Sequence, residues 1–422
     1  MRLCLVSKYP PIEGQVSTVN YWLAHGLARR GHNVTVVTNA NEVDSTCRLL
    51  DDDESSSIDK PGVLYTTPFG RSQFHIPWSN PFVTKLAALA LEAVQEHRAQ
   101  VVFSHYLEPY AVAGHLAASL AEVPHVITHS GSDLGRLMHD PALRPVYLEV
   151  IRRADLFVAK SKSAAALVGD GARLAAPGAL HPYAPPDEFF NPQATALDID
   201  SLLERASTII RDELGWHVNP FDAGRPTFGM YGKLANVKGT IPLVEALGLL
   251  KQESFAFNLI LMTRWRHGEE ELRDAIRQNG LERDTWLLPF LPNRLIPSWI
   301  RSCTAVCYLE QGWPLPSHVT VIPREVLACG VCLIVSSEVR DRSWYRHHLI
   351  DNDNCIVVDQ PHHPTSLAER LRVVLELPKR AAQLGAAGYA AARRMPRYDA
   401  FLDGWEQLFQ SSIRLRGSDA YS

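Results

Sequence analysis

Two lysines five residues apart, Lys233 and Lys238 in YGKLANVKGT (Tyr231 to Thr240), are the residues whose type and spacing could best do chemistry in this chain. They follow an apolar run, Thr227 to Tyr231, that reads as a strand, and precede an amphipathic run, Thr240 to Leu250, that reads as a helix. A helix start leaves backbone N–H groups unpaired and carries the positive end of the dipole. With two ammonium groups beside it, the natural guest is a diphosphate. Taken alone, the pattern also describes two solvated lysines on a basic surface turn. A second group of interest is Glu325 in PREVLACG (Pro323 to Gly330), a carboxylate at a helix start, where the dipole by itself would favour it.

The elements that must hold these groups alternate along the whole chain. Strands are expected at Leu3 to Val6, Val34 to Thr38, Val101 to Phe103, His125 to Thr128 and Leu156 to Ala159. The rhythm repeats at Thr227 to Tyr231, Asn258 to Met262, Thr285 to Leu288, Ala305 to Tyr308, Leu333 to Ser336 and Ile356 to Val358. Strands separated by helix-length segments imply parallel sheets with right-handed crossovers, hence an α/β chain of two Rossmann-like domains facing across a cleft. The proline-rich stretch HPYAPPDEFFNP (His181 to Pro192) marks the boundary, dividing the chain into 1–190 and 191–397. A helical run from Ile199 to Leu214 leads into the second domain, and Asp51 to Lys60, acidic and serine-rich, reads as a solvated loop.

Composition narrows the function. A chain of 422 residues with 46% hydrophobic content supplies two cores, and a formal net charge of -4 argues against a nucleic-acid partner, which calls for a basic face. Met1 to Val6 is too short for the apolar region of a signal peptide and reads as a first buried strand, so a cytoplasmic protein without a transmembrane segment is expected. Cys303, Cys307, Cys329 and Cys332 have a spacing that could be read as a zinc ribbon, but they fall in apolar or small-residue positions suited to buried thiols. No metal is assigned, and an odd total of seven cysteines fits a reducing compartment.

The lysine stretch resembles the Gly-Arg-Leu-x-x-x-Lys-Gly motif of GT-B glycosyltransferases of the retaining family 4, with Gly232, Lys233, Leu234, Lys238 and Gly239 on it and Lys in place of Arg. The resemblance implies that Lys233 and Lys238 hold the diphosphate of a nucleotide-sugar donor and neutralise it as it leaves. Lys233 would do so without the bidentate fork of an arginine. Glu325 fits the second glutamate of the family's paired motif, which implies contact with the donor ribose. The first falls on Ser317, so Ser317, His318, Val319 and Thr320 are the expected donor-sugar contacts without a carboxylate among them.

The opening YPPIEGQVSTVNYWLAHGLARRGHNVTVVT (Tyr9 to Thr38) is similar to the family's glycine loop, which implies a diphosphate contact at Gly14, with Gln15 replacing a second glycine. An ordinary surface loop is the alternative. SHYLEPYAVAGHLAA (Ser104 to Ala118) places His105 at a strand end facing the cleft, and THSGSDL (Thr128 to Leu134) resembles a Thr-x-His-Gly-Ser-Asp motif with its histidine displaced. Ser130 then takes the sugar-contacting position and His129 stands one residue early. His105 and His129 are candidate catalytic groups or packed histidines. Arg294 in FLPNR (Phe290 to Arg294) is a candidate base contact or a surface charge.

The resemblance implies metal-independent transfer with no cofactor beyond the nucleotide-sugar co-substrate. The acceptor is left open among carbohydrate, small-molecule and lipid-linked classes, the last reached by peripheral membrane contact, and the oligomeric state is open too. It also implies a final helix from Tyr398 that crosses back onto the first domain. The replacements at Ser317, Ser130 and Gln15 keep two alternatives: a binding protein without transferase activity, and a changed reaction such as epimerisation or pseudoglycosidic coupling.

Overall fold

The computed structural model describes residues 1–50, 62–68, 81–176, 178–232, 234, 236–263, 269–313 and 320–419. The expected solvated loop at 51–60 lies outside them. Among the described residues are twelve strands in two six-stranded sheets. The first holds β1 (Arg2–Ser7), β2 (Asn33–Thr38), β3 (Leu64–Thr66), β4 (Val101–His105), β5 (His125–Thr128) and β6 (Leu156–Val158). The second holds β7 (Thr227–Tyr231), β8 (Asn258–Met262), β9 (Thr285–Leu288), β10 (Ala305–Tyr308), β11 (Cys332–Ser336) and β12 (Ile356–Val358). Every expected strand is present to within a residue or two at its ends. Only β3 went unread, because it is a three-residue edge strand whose short apolar run is partly exposed.

The sheets run β3-β2-β1-β4-β5-β6 and β12-β11-β10-β7-β8-β9, and the ladders between neighbours are parallel. Numbered within its own lobe, each sheet has the doubly wound order 3-2-1-4-5-6, so the chain is two Rossmann-like lobes. Both faces of such a sheet are covered, which is why strands such as β1, with LCLV, and β8, with LILM, are continuous apolar runs and not alternating ones. Residues Leu5, Phe103, Leu259, Ile260, Val306 and Ile334 are fully buried.

Connections follow local chemistry. Ser161 and Ser336 cap the helices Lys162–Val168 and Ser337–Arg342 by accepting from the N–H of Ala164 and Val339. The helical run expected from Ile199 to Leu214 divides into a helix at Ile199–Arg205 and a wider turn at Ile209–Glu213. The last helix, Tyr398–Asp419, lies on the first lobe, where Phe401, Leu402, Trp405 and Phe409 share a core with Leu3, Leu5, Leu27 and Phe103. Arg30 meets Asp399, Asp403 and Glu406 along that contact.

The lobes touch at several points. Trp22 packs against Phe189 and Phe190 of the connecting segment, with ring centroids 5.0 and 5.8 Å apart. Across the cleft the Leu50 N–H donates to the Phe290 carbonyl at 2.6 Å, and Thr18 Oγ1 donates to Asn293 Oδ1 at 3.0 Å. All seven cysteines are buried and free. Among the described residues, no helix is long and apolar enough to cross a membrane.

Candidate functional site

In an open parallel sheet the strand order reverses at one point, and the loops leaving the carboxyl ends there splay apart to leave a crevice. Here two such crevices face each other. The reversal lies between β1 and β4 in the first lobe and between β7 and β10 in the second, and the loops after all four strands line one cavity of about 940 Å³. That volume is at the upper end for a small-molecule site. Parallel register brings the ends level, with Ser7 paired to His105 and His105 to Thr128.

On the second lobe, the chain leaves β7 through Gly232 at φ +105 and enters the helix Thr240–Gln252 through Gly239 at φ +75. A side chain at 239 would put its Cβ 2.6 Å from Leu309 Cβ, so glycine lets this loop press against the exit of β10. Lys238 lines the cavity from that loop. Its Nζ donates to the Glu310 carboxylate and lies 3.8 Å from the centre of the Trp313 ring. Glu310 is wholly buried, lines the cavity, and also accepts from Arg342, whose other terminal nitrogen is 3.1 Å from Glu338. Lys233 and the expected sugar contacts Ser317, His318 and Val319 lie outside the described residues. Thr320 is buried and, among the described residues, is not part of the cavity lining.

Glu325 lies in the first turn of the helix Ile322–Ala328 and lines the cavity. Its carboxylate is buried and accepts from Tyr231 Oη at 2.5 Å and Tyr183 Oη at 3.3 Å. Burial pushes its pKa up to about 7, against the lowering effect of the two tyrosines. Tyr183 belongs to the segment joining the lobes, so this carboxylate ties the cavity lining to that segment.

On the first lobe, Gly14 lines the cavity at φ +109, and a Cβ there would lie 3.0 Å from Lys8 Nζ. His105 ends β4, buried, with Nδ1 3.1 Å from Asn20 Oδ1 and Nε2 3.0 Å from Ser130 Oγ. Although Lys160 as a residue is exposed, its Nζ reaches to 3.1 Å from the same His105 nitrogen. Burial first, and the Lys160 charge second, hold the imidazole well below its ordinary pKa, so His105 is neutral. Ser130 lines the cavity and stands between it and His105.

His129 is put to a different use from the one its motif suggests. β5 ends at Thr128, and the ring turns inward to stack on Phe157 at 5.8 Å. Its Nδ1 faces the Gly131 N–H at 3.1 Å and its Nε2 the Lys160 N–H at 2.9 Å. A neutral imidazole has one in-plane lone pair, so it accepts from only one of these two N–H groups at a time, and the ring is packed into the fold and does not face the cavity. Burial, then Lys160, lowers its pKa to about 3. Asp133 helps it, accepting from the N–H groups of Ser130, Leu134 and Leu107 at 3.0, 3.0 and 3.1 Å. Neither His105 nor His129 is among the described residues that line the cavity.

The loop after β9 reaches the cavity through Phe290, Leu291, Asn293 and Ile296, and Arg294 is not among the lining residues described. Asn293 is buried, is held through its Oδ1 by Thr18 from the other lobe, and has no partner for Nδ2 among the described residues. Sequence reasoning passed over Asn293, Glu310 and Tyr183. Glu310 had a usable signal, since it is the first charged residue after the apolar run of β10. Asn293 and Tyr183 had none, because their partners are 275 and 142 residues away.

Comparison with known proteins follows the same division into lobes. The sequence profile for "Glycosyl transferase 4-like domain" matches residues 14–182, and that for "Glycosyl transferases group 1" matches 217–391. No curated protein sequence matches the chain. Among solved structures, sucrose-phosphate synthase of Thermosynechococcus elongatus is similar with a TM-score of 0.64 at 14% identity, over 98% of this chain and 99% of that one. Anabaena HepE in complex with UDP and glucose gives 0.64 at 16% identity, over 97% and 99%. An alpha-glucosyltransferase in complex with UDP and a 13-mer DNA gives 0.61 at 12% identity, over 97% and 99%. At such identities the likeness is one of fold.

Proposed function

Because the chain belongs to the group 1 glycosyl transferases, a glycosyltransferase family that uses nucleotide-sugar donors, we propose that it moves a sugar from a nucleoside-diphosphate sugar to an acceptor with retention of configuration and without a metal ion. The observation that carries this reading is Lys238 at the cavity wall, beside a helix N-terminus and at the strand-order reversal of the second lobe. The donor diphosphate sits against Lys238 and that helix start, with Lys233 as a second cation. Negative charge grows on the diphosphate as its bond to the sugar breaks, and a cation already in place lowers the barrier without reorganisation. In the retaining step the C1–oxygen bond to the diphosphate breaks and a bond from the acceptor oxygen forms on the same face. The acceptor proton passes to the departing phosphate oxygen, so no protein nucleophile is consumed.

Glu325 accepts from the ribose hydroxyls once a tyrosine hydroxyl gives way. Gly14 lets the first lobe's backbone approach the diphosphate, and Asn293 in place of Arg294 offers its amide to the base. Ser130 meets the donor sugar from the first lobe, its hydroxyl oriented by His105. The acceptor occupies the remaining cavity around Tyr106 and Arg136. UDP is the first nucleotide to try, since HepE was solved with it.

Calorimetry with a panel of nucleoside diphosphates tests the reading. At least one should bind, and Lys238→Ala should weaken it by about 1.5 to 3 kcal/mol, the worth of a charge-assisted hydrogen bond. Unchanged affinity in that variant would remove the assignment. Product analysis with sugar nucleotides then distinguishes transfer with retention from inversion, from epimerisation, and from binding without turnover.

A further inference from the structure

Glu310 has no role in the reaction as set out above, yet among the described residues it is the most deeply buried charge lining the cavity, with none of its surface exposed. A buried carboxylate is costly unless its partners are good, and among the described residues Glu310 meets Lys238 on the cavity side and Arg342 behind. Arg342 is not among the described lining residues and is held by Glu338 as well. Tyr308 Oη adds a contact at 3.3 Å, and Ser336 Oγ fixes the Glu310 backbone by donating to its carbonyl at 2.6 Å. The carboxylate is therefore anchored from the rear, and the lysine it holds is the one at the front.

We infer that Glu310 is the positioning residue of the diphosphate site: a built-in anion that holds Lys238 against Trp313 and competes with a nucleoside diphosphate for its ammonium, so that the product leaves readily. This rests on the proposed function, in which Lys238 meets the diphosphate. An ammonium has three donors, so Lys238 can keep Glu310 while turning another toward phosphate. The carboxylate's charge still opposes the incoming anion at short range in a site of low polarity, where Coulomb terms are large. A merely structural carboxylate would be different, because its loss would loosen the loop and weaken every ligand.

The test is Glu310→Gln, which keeps the shape and an acceptor for Lys238 but removes the charge. UDP, GDP and ADP are titrated by calorimetry, and steady-state kinetics are measured with the sugar nucleotide that turns over. The variant should bind the diphosphate that suits the wild type roughly tenfold more tightly or better, with kcat and KM falling together as product release slows. The gain should vanish in a Lys238→Ala background. Arg342→Gln removes a cation from behind Glu310, leaving its charge less compensated, and should shift affinity the opposite way, which keeps the inference testable if Glu310→Gln does not fold. Wild-type protein that binds no nucleoside diphosphate overturns the proposed function and this inference with it. Wild-type binding with no tightening in Glu310→Gln, or no weakening in Arg342→Gln, overturns this inference alone.

Discussion

Glu325 carries the clearest pH signature among single residues. Its pKa is raised to about 7, while an unfolded glutamate titrates near 4.5, because burial penalises the charged form more than Tyr231 and Tyr183 reward it. Between these values the folded chain keeps a proton that the unfolded chain has lost. The contribution to stability is therefore fully present below about 4.5 and is lost as pH rises through 7, on the order of 1 kcal/mol per pH unit across the window. His105, His125 and His129 act with opposite sign, since their lowered pKa values stabilise the fold above the unfolded histidine value and cost stability below it. Denaturant titrations of the wild type and Glu325→Gln at pH 5, 6, 7 and 8 isolate the carboxylate. The variant should lack the decline from pH 5 to 7 that the difference between the two curves assigns to Glu325, and superimposable slopes would contradict this. Lys238 and Glu325 could be found from spacing because a strand, a turn and a helix start are local. The Glu310 pair was hidden, since Lys238 and Glu310 are 72 residues apart and meet only when β7 and β10 lie side by side.

At the scale of elements, the loop between β7 and its helix depends on backbone freedom at its two ends, Gly232 and Gly239, and the second is also a close contact. Gly239 combines φ +75 with a Cβ position 2.6 Å from Leu309 Cβ and 2.9 Å from its carbonyl oxygen. Gly239→Ala should cost about 2 to 4 kcal/mol, the sum of left-handed strain and overpacking, and should weaken nucleotide binding by displacing Lys238. Gly280 is the control: it has φ +65 and nothing within 4 Å, so Gly280→Ala should lose only the strain, about 1 to 2 kcal/mol, and leave binding alone. Equal losses in the two variants would show that contact with Leu309 is unimportant. The strands were legible because parallel strands buried on both faces are written as plain apolar runs. β3 was not, and neither was the break after Arg205, where Ala206 leaves the helical conformation before the wider turn at Ile209–Glu213.

For the whole molecule, what matters is that two lobes of the same strand order bring their reversal points to one cavity, with the final helix returning to the first lobe. The alternation of strand-like and helix-length runs made the two-lobe plan legible. The cross-cleft bonds from Thr18 to Asn293 and from Leu50 to Phe290 could not be foreseen, because they depend on how the lobes are set. The inward turn of His129 has a similar origin, fixed by the end of β5 and the ring of Phe157. The most direct measurement of the central claim is a crystal structure of the full chain soaked with UDP. It should show the diphosphate within hydrogen-bonding distance of Lys238 Nζ at the start of the helix Thr240–Gln252, with the ribose hydroxyls at Glu325. A nucleotide bound elsewhere, with Lys238 still given wholly to Glu310 and Glu325 to its two tyrosines, would contradict it.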